Sequence, residues 1–295
     1  VKQSLLLTGG TGFLGSHLLR RLIRDGHSVV LAKRSFSDTW RIRDLEGRYA
    51  AYDLDRDPLD RIFAEHRIGT ILHSATNYGR REIPPTEIVD SNLILPLHLL
   101  QLGEKHGTRA FINTDTLLDK RVSHYSLSKK QFLDWLKLYS DRLLCVNVAL
   151  THFYGPHDDG SKFVTQMIRD LLVARPSIPL TPGRQKRDML HVDDVVSAFV
   201  RLIDHSASQG PSFHAYDVGS GESRELREIV QTLQTLSGNS TTKLDFGALD
   251  YRPNEAMDIQ VQARELRALG WRPTLTLEQG LSLTLESERK QAKPA

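Results

Sequence analysis

Residues 5–19 read LLLTGGTGFLGSHLL. An apolar run of strand length meets Gly9, then Gly10-x-Gly12-x-x-Gly15, and apolar residues at helical spacing follow. A buried strand, a glycine turn and a helix in that order predict one unit of a parallel α/β sheet. The glycines permit a tight turn and a close approach of backbone to a pyrophosphate, and the helix N-terminus favours the anion. An ordinary strand-to-helix turn is the plain alternative, but the strand "SVVLAK" follows in register and supports the dinucleotide fingerprint.

The alternation continues along the chain. "GRYAAYDL", "GTILHSA", "RAFINTD" and "RLLCVNVAL" read as strands, and "DPLDRIFAEHR", the long "EIVDSNLILPLHLLQLGEKHG" and a segment from near Tyr125 read as helices. After Leu150 the texture changes: the loops "FYGPHDDG", "ARPSIPLTPGR" and "YRPNEAMD" interrupt the helices "SKFVTQMIRDLLVA" and "SRELREIVQTLQTLSG". "RDMLHVDDVVSAFVRLI" reads as a return to the sheet. The expected fold is α/β, a Rossmann-type doubly wound parallel sheet over 1–150 with a return over about 187–220. Residues 151–186 and 221–295 form a smaller, discontinuous lobe, and the tail "SERKQAKPA" is expected to fray.

Composition narrows the classes. Of 295 residues, 39% are apolar, enough for a substantial core, and 39 basic against 36 acidic residues leave no nucleic-acid footprint. The apolar runs are far shorter than the ~18–20 residues of a membrane span, and no signal-peptide pattern is present. The single Cys145 forms no internal disulfide, so a reducing, cytoplasmic setting is expected.

The chemistry concentrates in "FINTDTLLDKRVSHYSLSKK", residues 111–130. Tyr125 and Lys129 lie four apart, on one face of a helix, and an ammonium beside a phenol lowers its pKa from ~10. Such a phenol gives a proton to a carbonyl oxygen as hydride arrives, or takes one in reverse. Thr114, ending a strand where ligands bind in such sheets, can hydrogen-bond the same oxygen. A surface pair plus a strand-end hydroxyl is the plain reading, and the glycine turn upstream argues against it. At the end of the second strand, where an NAD site places a carboxylate, stand Lys33 and Arg34. Two cations suit a 2′-phosphate, so NADP(H) is preferred, with NAD(H) or a solvated basic loop as alternatives. Asp53 either bonds the adenine amine, with Leu54 against the ring, or is a turn aspartate.

"TGGTGFLG", "YSLSK", "FYGP", "RDMLHVDD" and "YDVGSGE", in that order, resemble the extended short-chain dehydrogenase/reductase family of nucleotide-sugar epimerases, dehydratases and reductases. The resemblance implies that Tyr125 is the acid/base, that Lys129 tunes it and holds the nicotinamide ribose, and that Thr114 orients the substrate. It places Gly9, Thr11, Gly12, Phe13, Leu14, Gly15 and Asp53 on the cofactor, with Ser74, Ala75 and Thr76 beside its ribose and phosphates. The smaller lobe then binds substrate: Arg187 and Arg252 on a nucleotide diphosphate, His152 nearby. The plain readings are Arg187 paired with Asp188 or Asp193 and Arg252 solvated. A homodimer through the long helix and the Tyr125 helix is implied as well.

Hexose 4,6-dehydratases of this family continue Thr-Asp with Glu, the base for the C5 proton. Here the order is Thr114-Asp115-Thr116, and a threonine is a poor proton acceptor, so dehydration is not expected. Asp115 either hydrogen-bonds near C6 or caps the following turn; Thr116 lines the substrate. The eleven residues from Thr114 to Tyr125 leave no room for the substrate loop of typical epimerases. The segment looks most like the CDP-abequose and CDP-paratose synthases, reductases of a CDP-4-keto-3,6-dideoxyhexose. The expected function is NADPH-dependent 4-ketoreduction of a nucleotide-linked deoxysugar for polysaccharide biosynthesis. The alternatives are an NAD-dependent 4-epimerase and a non-catalytic NADP-binding regulator. His152, His157, Asp158 and Asp159 lack zinc-site spacing, and no metal is expected.

Overall fold

The computed structural model describes residues 3–80, 83–253 and 255–292. The chain divides into two compact units, residues 1–150 with 198–217 and residues 151–197 with 218–295. In the first, β1 (Ser4–Thr8), α1 (Phe13–Arg24), β2 (Val29–Lys33), β3 (Ala50–Asp53), α2 (Leu59–Glu65) and β4 (Ile68–His73) follow one another. Then come α3 (Pro85–Val89), α4 (Leu95–Lys105), β5 (Ala110–Thr116), α5 (His124–Leu138) and β6 (Leu144–Leu150). The strands pair parallel in the order 3-2-1-4-5-6, the dinucleotide-binding order. Every residue of β1 and β5 is buried, as parallel strands covered on both faces require.

Register sets the site. Thr8 lies opposite His73, Lys33 opposite Asp53 and His73 opposite Asn113, so the carboxyl ends of four strands share one edge. β5 runs on beyond β4, and Thr114, Asp115 and Thr116 pair only with Val148, Ala149 and Leu150 of β6. Ser123 caps α5 reciprocally with Ser126. Phe132, fully buried with its ring 5.6 Å from that of Phe111, holds α5 to the sheet. Burying one such side chain stabilises by ~1.5–3 kcal/mol.

The single long helix expected over 87–107 contains a π turn, Asp90–Ile94, between α3 and α4. Pro96 has no N–H to donate, and its ring crowds the carbonyl of Asn92, so the ladder re-registers there.

The second unit contains β7 (His152–Tyr154), α6 (Phe163–Leu172), β8 (Ser177–Leu180) and β9 (Lys186–His191), followed by α7 (Val192–Ser206), within which the chain returns to the first unit. β10 (Ser212–Val218), at the edge of the large sheet, precedes β11 (Ser223–Glu225), α8 (Leu226–Ser237), β12 (Lys243–Phe246), β13 (Asp258–Ile259), α9 (Arg264–Ala268) and α10 (Leu277–Ala292). The return expected near 187 thus comes at Ala198, because β9 pairs with β7, β11 and β13 in a small sheet of its own. The segment expected as a loop at "FYGPHDDG" begins inside β7. Residues 293–295 of the expected frayed tail lie outside the described residues, but α10 reaches Ala292, and Glu288, 3% exposed, pairs with Arg169 at 2.7 Å. Among the described residues no helix is long and apolar enough to cross a membrane.

Asp188 of β9 ties the small sheet to its loops. Its buried carboxylate accepts from Ser220 N (2.9 Å), Ser220 Oγ (2.8 Å), Gly221 N (3.0 Å) and Val261 N (3.2 Å). Asp188→Ala removes the acceptor of three backbone N–H groups, and urea unfolding is expected to show a loss on the order of 3 kcal/mol.

Candidate active site

The glycine turn forms a cradle of backbone. Gly9 adopts φ +70°, and a Cβ there would stand 2.5 Å from Ala75 N; at Gly15 a Cβ would stand 2.0 Å from Gly9 O. Gly12 N donates to Gly9 O at 3.0 Å, and no side chain caps α1. A helix N-terminus of this kind, reached through glycines, suits an anion. Thr11 is half-buried, Phe13 packs edge-on to His17 at 5.5 Å, and Leu14 turns its side chain into the core. Thr8 Oγ accepts from Ser74 N and Ala75 N, both at 3.2 Å, and so gives its own hydrogen to His73 Nδ1 at 2.8 Å. This bond holds the Ser74–Ala75–Thr76 segment beside Gly9.

At the tip of β2 and β3, Arg34 Nε pairs with Asp55, and Ser35 N donates to the same carboxylate at 2.8 Å. Asp53 accepts from Ser35 Oγ at 2.6 Å and Asp55 N at 3.1 Å, and the Ser35 bond above all holds its carboxyl below the usual range. Lys33 adds to that field. Leu54 packs against the core cluster of the sheet.

Beside β5, the structure redistributes the expected roles. Thr114 Oγ donates to the carbonyl of His73 at 3.1 Å, so its hydrogen is directed into the sheet. Asp115 is 3% exposed and accepts from Lys130 Nζ (2.8 Å), Asn147 Nδ2 (2.9 Å) and Thr116 N (2.7 Å). It is a buried tie rather than a turn cap open to ligand. Thr116 Oγ accepts from Leu118 N at 3.2 Å and lies near enough to the phenol of Tyr125 to act on it. The Tyr125 ring lies 5.0 Å from that of Tyr78.

The expected depression of the Tyr125 pKa is not found. Burial raises the phenol well above its ordinary value, Tyr78 and Asp115 add to the rise, and the hydroxyl of Thr116 opposes it. Lys129 is 1% exposed, its ammonium has no hydrogen-bond partner among the described residues, and burial pushes it down to about 8. Its charge, after burial, also helps keep His73 neutral.

Sequence reasoning missed three contributors here. Asn92, in the π turn, accepts from Asn77 N (2.8 Å) and donates to Asn77 O (2.8 Å) and Ser128 Oγ (3.1 Å), tying the 74–79 loop to α5. A polar residue inside the apolar run "SNLILP" was its signal. Lys130 was visible as the second lysine of "SKK". Nothing local marked Tyr78.

In the second unit, Arg187 pairs with Glu255 rather than with Asp188 or Asp193, and also donates to Ala256 O at 2.6 Å. Burial, with Arg252 next to it, lowers the guanidinium against the pull of Glu255. His152 keeps open surface, yet the protein packed around its ring and the charges of Arg187 and Lys162 push it down to about 4. Arg187, Arg252, Lys162 and His152 thus share one neighbourhood.

A sheet in dinucleotide-binding order, with a backbone cradle and a helix that carries a phenol and a buried ammonium four residues apart, is the architecture of a nicotinamide-dependent enzyme on a Rossmann fold. The cradle and the orphaned Lys129 fit such a cofactor. The chain belongs to the NAD dependent epimerase/dehydratase family, whose model matches residues 5–219. It is 31% identical to CDP-abequose synthase of Salmonella muenchen over 294 residues, covering 97% of this chain and 98% of that protein. In fold it resembles UDP-glucose 4-epimerase of Thermotoga maritima, solved with UDP-glucose (TM-score 0.85, 24% identity, 99% and 100% of the chains). It also resembles the Thermus thermophilus UDP-glucose 4-epimerase solved with NAD (TM-score 0.81, 23% identity, 97% and 99%).

The buried ammonium predicts a stability effect. Lys129 ionises near 8 when folded and at 10.5 when free, so between these values the unfolded chain binds the extra proton. Stability of the cofactor-free protein is therefore expected to rise with pH across that interval. Lys129→Met should stabilise at pH 7 by an amount on the order of 3 kcal/mol and lose this advantage above the interval, as urea unfolding at several pH values would measure.

Proposed function

We propose that this protein is an NADPH-dependent 4-ketoreductase of a nucleotide-diphosphate-linked deoxysugar, of the CDP-4-keto-3,6-dideoxyhexose type. The observation that carries the reading is the state of Asp115 and Thr116. Elimination across C5 and C6 needs a base and an acid. The position of the base is a threonine, and the neighbouring carboxylate is occupied by Lys130, Asn147 and Thr116 N. What remains is chemistry at C4. Full-length similarity to CDP-abequose synthase supports a CDP-sugar.

Gly9, Thr11, Gly12, Phe13, Leu14 and Gly15, with Ser74, Ala75, Thr76 and Lys129, would hold the dinucleotide, and Asp53 and Leu54 would meet its adenine. When bound, it supplies hydride to C4. Tyr125 supplies the proton to the C4 oxygen, and burial keeps its phenol protonated, the form reduction uses and an epimerase's first, oxidative step does not. Thr116, near the phenol, stabilises the phenolate left behind, the role expected of Thr114. Arg187 and Arg252 take the substrate diphosphate, where bidentate guanidinium contacts suit phosphate, and Glu255 must then yield Arg187; His152, neutral, lies near the sugar. An NAD-dependent 4-epimerase is the second reading, favoured by the fold of the solved epimerases.

The test is nicotinamide oxidation with CDP-, dTDP- and GDP-4-keto-6-deoxysugars. NADPH is expected to be consumed stoichiometrically with one of them, and turnover with none would refute the reductase. Tyr125→Phe should cut kcat by on the order of a thousandfold with NADPH binding retained, and Thr116→Val by roughly tenfold, more than Thr114→Val.

We also propose a homodimer through α4 and α5. Leu127, Trp135 and Leu138 are exposed and recur along one face of α5. Trp135→Glu with Leu138→Glu is expected to yield a monomer in sedimentation equilibrium where the parent is a dimer.

A further inference from the structure

The tip of β2 holds an arrangement with more order than a solvated basic loop has. Arg34 N donates to Ser37 Oγ and Ser37 N to Arg34 O, both at 3.1 Å, so the turn carrying Arg34 is closed on itself. Leu54 N donates to Lys33 O at 2.8 Å, which extends the β2–β3 ladder and brings Asp55 alongside Arg34. Asp55 takes the Nε edge of the guanidinium with one oxygen and Ser35 N with the other. The guanidinium carbon lies 5.2 Å from the ring centroid of Phe36, which at 78% is the most exposed of the large apolar side chains among the described residues. The two terminal nitrogens of Arg34 have no hydrogen bond among the described residues. The ring of Phe36 offers the guanidinium a face to lie on, and a guanidinium held at its Nε edge keeps its two terminal nitrogens for another acceptor.

We propose that Asp55 and Phe36 are positioning residues that preorganise Arg34 as a fork for the 2′-phosphate of NADP(H), making them determinants of cofactor selectivity. The inference rests on the NADP(H) reading above. An unsupported arginine must surrender rotamer freedom to hold a phosphate, whereas one clamped at Nε and laid on an aromatic face has already surrendered it. The geometry also answers why three aspartates, Asp53, Asp55 and Asp57, surround a site for a dianion. Asp53 is bonded by Ser35 Oγ and Asp55 N, Asp55 by Arg34 and Ser35 N, and Asp57 by Asp53 N and Arg61. Each carboxylate is engaged by a donor of the chain, and two of the donors are arginines.

The test is calorimetric binding of 2′,5′-ADP and 5′-AMP to the full chain, with no sugar present. Arg34→Ala is expected to weaken 2′,5′-ADP by on the order of tenfold or more, and Asp55→Asn and Phe36→Ala each by about threefold or more, with 5′-AMP unchanged in all three. Tighter 2′,5′-ADP binding by Asp55→Asn would overturn the proposal, because Asp55 would then be masking Arg34 from phosphate. So would unchanged binding in both Asp55→Asn and Phe36→Ala. If Asp55→Asn loses both ligands through damage to the loop, Phe36→Ala decides, since that side chain is largely in solvent. A parent that binds 5′-AMP as tightly as 2′,5′-ADP, with Arg34→Ala silent, would instead refute NADP(H) preference itself. Neither result depends on which sugar is reduced.

Discussion

The carboxylate of Asp115 is where the first unit is tied together. It has no access to solvent, and a buried charge persists only when it is paired and hydrogen-bonded. Lys130 reaches it from α5, Asn147 from β6 and Thr116 N from its own strand. Lys130 also donates to Thr116 O at 2.5 Å, so one ammonium pins the last residues of β5 against the helix that carries Tyr125. This clamp sets the hydroxyl of Thr116 near the phenol. Asn92 supplies the second clamp, since its amide bonds Ser128 Oγ, which in turn donates to Tyr125 O at 2.8 Å.

The adjacent lysines of α5 have opposite fates for a geometric reason. Successive side chains on a helix diverge by about 100°, so if Lys130 faces the end of β5, Lys129 must face elsewhere. It faces an interior where it meets no acceptor, beside a neutral His73. A lone ammonium in such a place costs stability, and the packing of Phe111, Phe132 and Leu136 offsets it. A stable fold does not need that ammonium; under the proposed function it would meet a ribose hydroxyl of the cofactor. Structural economy and function pull apart at Lys129, which is the mark of a functional site.

The parts legible in the sequence are those decided by neighbours along the chain. The glycine turn, the strands β1, β4, β5 and β6 and the helix that sets Tyr125 and Lys129 four residues apart each depend on a few consecutive residues, and each of these elements forms where the sequence places it. The parts that escaped depend on residues distant in sequence. Arg187 finds Glu255, Thr114 finds the carbonyl of His73, and β9 finds β11 and β13; no local pattern encodes any of these. The π turn lies between the two cases: Pro96 was visible, but whether a proline ends, kinks or re-registers a helix depends on what packs against it. Asn92 turned that defect into a clamp.

The direction of catalysis can be argued from the same contacts. An epimerase must first remove a proton from a hydroxyl and later return one, so its acid/base serves best poised between two states. A reductase only gives a proton and is reset by solvent afterwards. In the cofactor-free chain burial, with Tyr78 and Asp115, favours the protonated phenol, and the hydroxyl of Thr116 opposes them, which supports the proposed reduction. The carboxylate of Asp115 is held by a lysine and an asparagine, which supports the same proposal over a dehydration. The chain keeps the family's fold and its Tyr/Lys pair, and the proposed net reduction would ask of its β5 end no more than proton delivery.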